Sequence, residues 1–120
     1  MSDAPAVLDL SLTAPKETGG PGTGTNPEQL FAVGFGACFQ GALTMVAKQA
    51  GVDASRSVVD VAVGFGPEGD SFAITADITA TIPGVDDVQA QQLVDAAHQV
   101  CPYSKATRGN VPVTVVGKGA

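Results

Sequence analysis

Polar and apolar positions alternate at the start of the chain, where Leu8, Leu10 and Leu12 are interleaved with Asp9, Ser11 and Thr13. A period of two puts the leucines on one face, so this stretch reads as a strand with one buried side. The alternation stops at residues 14–25 (APKETGGPGTGT), whose glycines and prolines read as a long loop. The next segment is apolar with no period. Residues 29–47 carry no charge, Asn26 can cap, Pro27 suits the first helical position, Gln29 completes a capping-box spacing, and Gly51 stands where a glycine would stop a helix. This pattern predicts a helix over residues 27–50. An uncharged run of this length approaches a membrane span, but Gly34, Gly36, Gln40, Gly41 and Thr44 dilute it. The helix therefore reads as one fully buried in a soluble core.

Period two returns at Val59, Val61, Val63 and Phe65, and again at Phe72, Ile74, Ala76, Ile78 and Ile82, with GPEGD at residues 66–70 as the hairpin turn between them. A second helix starts at Asp86 or Asp87, where Asp86 and Gln89 repeat the capping-box spacing, and runs to Val100. Its apolar stripe takes in Val88, Leu93, Ala96, Ala97 and Val100. Pro102 disfavours helical dihedrals at Cys101, which places that cysteine at a helix end or at the cap of a short following turn. The last strand, over residues 111–116, contains Pro112 and so reads as an edge. The order of strand, loop, helix, hairpin, helix and strand is an α+β arrangement, and 120 residues suffice for a single domain only. These elements are a thin wrapping for a helix apolar on every side. A homodimer burying both helices between two sheets would complete the cover.

Charge narrows the partners. Six Lys and Arg against twelve Asp and Glu give a net charge of −6 with no basic cluster, which argues against nucleic acid and anionic membrane. Residues 1–5 carry an acid and no basic region followed by an apolar one, so no secretory leader is expected and a cytoplasmic location is the default. The two cysteines are too few for a disulfide scaffold and form no CxxC pair. Fifteen glycines and no Trp suggest a core built on close backbone approach.

Candidate chemistry rests on few side chains. Cys38 falls in the middle of the uncharged helix and reads either as a small buried hydrophobe or as a nucleophile, which then needs a cation or donor, because burial alone raises a thiol pKa. Cys101 reads as a helix-terminal apolar contact or as a partner in a reversible disulfide, for which the Cα atoms must lie about 4.4–6.8 Å apart. Glu28 suits the positive end of the helix dipole. Ten residues separate it from Cys38, about 15 Å along the axis and about 80° around it, so it would orient a bridging cation rather than touch the thiol. His98 and Cys101 are spaced to share a helical face and, with Cys38 and Glu28, could make a zinc set. Without paired ligand motifs no metal or other cofactor is expected. Gly19 and Gly24 have the offset of a phosphate loop, but Thr25 stands where that loop needs Lys, leaving a connector.

The segment TNPEQLFA at residues 25–32 with GACF at 36–39, and the segment AHQVCPYSKATRGNV at 97–111, resemble the two cysteine segments of the organic hydroperoxide resistance proteins of the OsmC/Ohr superfamily. Leu8-Asp9-Leu10, Pro15-Lys16-Glu17 and Gly19-Gly20 resemble the family's lead-in strand and loop, so the likeness covers nearly the whole chain. It implies an intertwined dimer with antiparallel sheets around two central helices. It also implies a peroxidase in which Cys38 attacks an organic hydroperoxide, Cys101 resolves the sulfenic acid as a disulfide, and a dithiol, typically a dihydrolipoyl group on protein, restores both. The family's arginine, which bonds the glutamate matching Glu28 and activates the cysteine, lies in an upstream segment. No Arg precedes Cys38, whose only upstream cationic side chain is Lys16, and neither Arg56 nor Arg108 matches that position, so the chain is expected to begin after that segment. Two other readings compete: a noncatalytic module holding an apolar ligand or lipoyl arm, and a redox sensor whose disulfide alters a partner contact.

Overall fold

The computed structural model describes residues 8–120, so the start read as leader-free at residues 1–5 lies outside the described residues. Helix α1 spans Pro27–Gln49. Its start is set locally. The Asn26 side chain accepts from the Gln29 amide at 2.8 Å, the Gln29 side chain accepts from the Asn26 amide at 3.3 Å, and Pro27 occupies a position that has no amide to satisfy. At the other end Gly51, at φ 76°, turns the chain out of the helix beyond Ala50.

Strands β1 (Val58–Glu68) and β2 (Ser71–Ile82) form an antiparallel hairpin with Val61 opposite Ile78. The predicted turn is shorter than residues 66–70. Pairing runs out to Glu68 and Ser71 because Gly69, at φ 56°, reverses the chain in two residues, and Pro67 is tolerated on an edge strand. Helices α2 (Asp87–Val100) and α3 (Pro102–Thr107) then carry the chain back so that β3 (Val113–Gly119) lies parallel to β2. The sheet order is β1-β2-β3, so the last strand is an edge, with Pro112 just outside it and its carbonyl accepting from the Ala76 amide.

The core joins Phe35, Phe39 and Leu43 of α1 to Ile78 and Ile82 of β2, Leu93 and Val94 of α2, and Cys101. Close backbone approach is part of it. A Cβ on Gly117 would strike the Ala90 carbonyl, so glycine lets β3 lie directly against α2.

Three expectations are corrected. The stretch of Leu8, Leu10 and Leu12 makes no strand. Only Leu12 pairs, through an isolated bridge with Thr25, and all three leucines are exposed. Alternation prepares a face for burial but supplies no surface to bury it against. On α2 the buried positions are Ala90, Leu93, Val94 and Ala97, whereas Val88, Ala96 and Val100 face outward, because β3 and α1 press on the side marked by Ala90. Helix α1 is long and apolar enough to cross a membrane, and in the single chain it is not fully buried. One side packs on β1, α2 and α3, while Val33 is 71% exposed and Met45 49% exposed.

Candidate thiol site

Cys38 is held on rigid helix near the middle of α1, and Cys101 is the single residue between α2 and α3. Pro102 breaks the helical path as its sequence implied. Cys101 takes an extended conformation (φ −69°, ψ 123°), closing α2 with its amide and opening α3 with its carbonyl. This brings residues 63 positions apart together, with the Cys101 and Cys38 sulfurs 3.6 Å from each other and both thiols free. A disulfide bond is about 2.05 Å long, so closure needs an approach of about 1.5 Å. Cys101 is fully buried and Cys38 half-buried, which leaves Cys38 as the sulfur that a small molecule can reach.

Burial pushes the Cys38 thiol above the ordinary value of 9.0; the Tyr103 amide, donating to the sulfur, opposes this, and Cys101 adds to the rise. The Cys101 thiol meets the Cys38 sulfur in a single S–H···S contact. None of these influences is cationic. Tyr103 is also anchored through its ring, which lies across Gly34 and packs at 5.8 Å on Phe35, itself edge-on to Phe31.

Glu28 is not at the thiols. It lines an open groove of about 910 Å³ with Glu17, Gln29, Val61, Phe65 and Phe72, on the side of α1 facing the hairpin. Neither cysteine lines this groove. His98 does not join the cysteines as a ligand either: its Nδ1 lies 2.7 Å from the Ser104 hydroxyl. Among the described residues, no three His, Cys, Asp or Glu side chains converge as a metal ion would require. The glycines at residues 19–24 serve as the connector, with Gly22 closing on the Ala14 carbonyl. Sequence reasoning missed Gly34, Tyr103 and Ser104 as parts of the site. Tyr103 and Ser104 stand beside Cys101 in a segment already singled out, but nothing in it shows that a ring and a hydroxyl fold back onto α1 and α2.

Comparison with known proteins agrees with this fold. Residues 20–116 match the OsmC-like protein family model, and the chain belongs to that family. An organic hydroperoxide resistance protein from Xanthomonas axonopodis pv. citri is 50% identical over 111 residues, covering 91% of this chain and 78% of the relative. Organic hydroperoxide resistance protein OhrB of Bacillus subtilis is 44% identical over 108 residues, covering 89% and 79%. The crystal structure of an organic hydroperoxide resistance protein from Elizabethkingia anophelis superposes with a TM-score of 0.88 at 42% identity, covering 95% of this chain and 83% of that one. Within the family, the chain is thus of the organic hydroperoxide resistance type.

Proposed function

We propose that the chain takes part in peroxide detoxification as one OsmC/Ohr domain, reducing organic hydroperoxides to alcohols with Cys38 and Cys101. The observation that carries this is the 3.6 Å separation of the two sulfurs, one reachable and one buried. The Cys38 thiolate attacks the O–O bond, releasing an alkoxide that leaves as the alcohol on protonation, and the sulfur becomes a sulfenic acid. The Cys101 sulfur then displaces the hydroxyl as water and forms the disulfide. A dithiol, of the dihydrolipoyl kind in this family, returns both cysteines to thiols. The names of the relatives support organic hydroperoxides as substrates.

Burial alone disfavours the thiolate, so activity requires a cation or donor near Cys38. Glu28 is assigned the role of orienting that cation from the groove wall. The exposed side of α1, with Val33 and Met45, supports a homodimer in which a second copy covers it. A cytoplasmic location fits this reductant.

The test is the intact mass of the reduced protein after one equivalent of organic hydroperoxide, compared with hydrogen peroxide. Loss of two hydrogens, faster with the organic peroxide, is expected. An unchanged mass would instead favour a noncatalytic module, a reading supported by a large amphipathic groove that contains neither thiol.

A further inference from the structure

The two ends of the hinge at Cys101 are tied to each other. On one side of it, His98 lies in the last turn of α2; on the other, Ser104 lies in the first turn of α3. The imidazole Nδ1 and the Ser104 hydroxyl meet at 2.7 Å, and Ser104 is fully buried. Further on, the Arg108 guanidinium reaches back and donates to the His98 carbonyl at 2.8 Å. That carbonyl belongs to the final turn of α2, where backbone acceptors lack helical partners. Two separate hydrogen bonds therefore converge on His98 and bracket Cys101 from both sides.

Closure of the pair makes a particular demand on this hinge. Cys38 is fixed in the middle of a long helix, so the approach of about 1.5 Å falls to the Cys101 side. The Cys101 sulfur displaces hydroxide from the Cys38 sulfenic acid: the S–O bond breaks, the S–S bond forms, and the Cys101 proton leaves with the hydroxide as water. Oxygen and both electrons are already accounted for by the hydroperoxide that made the sulfenic acid. The advantage of an intramolecular thiol over one in solution depends on how narrowly its position is confined. A slack junction would widen that distribution without changing either cysteine.

Building on the thiol-peroxidase reading, we propose that His98, Ser104 and Arg108 are positioning residues for the resolving thiol. Their hydrogen bonds clamp the α2–α3 junction so that Cys101 is held facing Cys38, within the short approach that closure needs. They act through the placement of Cys101.

The test needs no peroxide. The full chain is equilibrated with dithiothreitol redox buffers, and the fraction of Cys38–Cys101 disulfide gives the effective concentration of the pair. Ser104→Ala and His98→Leu are expected to lower it about tenfold, whereas His98→Asn, whose side-chain oxygen can take the place of Nδ1, stays within about twofold of the parent. Equal values across all four proteins, or an equal loss in His98→Asn and His98→Leu, would overturn the clamp. Arg108→Ala changes an exposed side chain and keeps the proposal testable if Ser104→Ala does not fold. It is expected to lose about threefold, and no loss there would count against the clamp. A parent protein that forms no disulfide at any buffer ratio would also overturn it. Normal disulfide equilibria with the expected variant losses, but no peroxide consumption, would uphold the clamp while removing the peroxidase reading on which it was built.

Discussion

The Tyr103 hydroxyl lies 3.2 Å from where a Cβ on Gly34 would stand, so the first turn of α3 is seated on α1 through a glycine. Gly34→Val is expected to push the ring outward and carry the Cys101 hinge with it. The cost should be about 1–3 kcal/mol, as for other overpacked sites, together with slower disulfide closure. Urea unfolding and a timed thiol count check both, and a variant as stable and as quick to close as the parent would show that Tyr103 anchors nothing.

Replacing Cys101 by serine should leave the first chemical step and remove the second. After one equivalent of organic hydroperoxide, Cys101→Ser is expected to be one oxygen heavier and to react with a sulfenic-acid trap, while the parent has lost two hydrogens. If Cys101→Ser also loses two hydrogens, Cys101 is not the resolving thiol.

His98 gives a pH dependence whose sign is fixed. Burial first and the Arg108 charge second hold its pKa below the ordinary 6.5, against a smaller opposing effect from Asp95. A depressed value in the folded state means that the unfolded chain binds the proton more readily. The neutral ring therefore contributes stability that is fully present above 6.5 and is lost as pH falls through the lower folded value. Urea midpoints of the parent should drop across that window more than those of His98→Asn, and parallel curves would refute the assignment.

Gly117 is the place where β3 meets α2, and the group a new Cβ would strike is the backbone carbonyl of Ala90, which cannot rotate away. Gly117→Ala is expected to cost about 1–3 kcal/mol even though it adds a single methyl group. Asn26→Ala, which removes the cap of α1, should cost about 1 kcal/mol. Thermal or denaturant unfolding separates these from a neutral surface change.

The sequence was legible wherever structure is decided within a few residues. Asn26, Pro27, Gln29 and Gly51 fix α1 through its own backbone, and Pro102 fixes the break at Cys101, so both could be read. The stripe of α2 departs from its periodicity at Val88 and Val100 because β3 lies against the Ala90 side of the helix, where Gly117, 27 positions away, meets the Ala90 backbone, a neighbour that periodicity does not reveal. Leu8, Leu10 and Leu12 alternate as a strand should, but a pattern along one segment cannot name its neighbours in space. At the site, position marks each cysteine individually, while their pairing is implied only by the family resemblance, since it depends on a return of the chain through the hairpin and α2. The reading of Glu28 as distant from Cys38 came from helical geometry and agrees with its place on the groove wall.

The 63-position separation of Cys38 and Cys101 gives their bond a second meaning. Closing it would tie into one loop both strands of the hairpin and all of α2, and a covalent loop of this size restricts the unfolded chain by about 4 kcal/mol in the chain-entropy picture. That is a large part of the stability of an ordinary small domain, about 5–15 kcal/mol. Oxidation and folding then form one thermodynamic cycle. Whatever free energy the bond adds to the native state against the unfolded one, the native state returns to the bond as resistance to reduction. A peroxide that oxidises the pair would toughen the molecule, and the reductant that resets it must work against the fold as well as against sulfur.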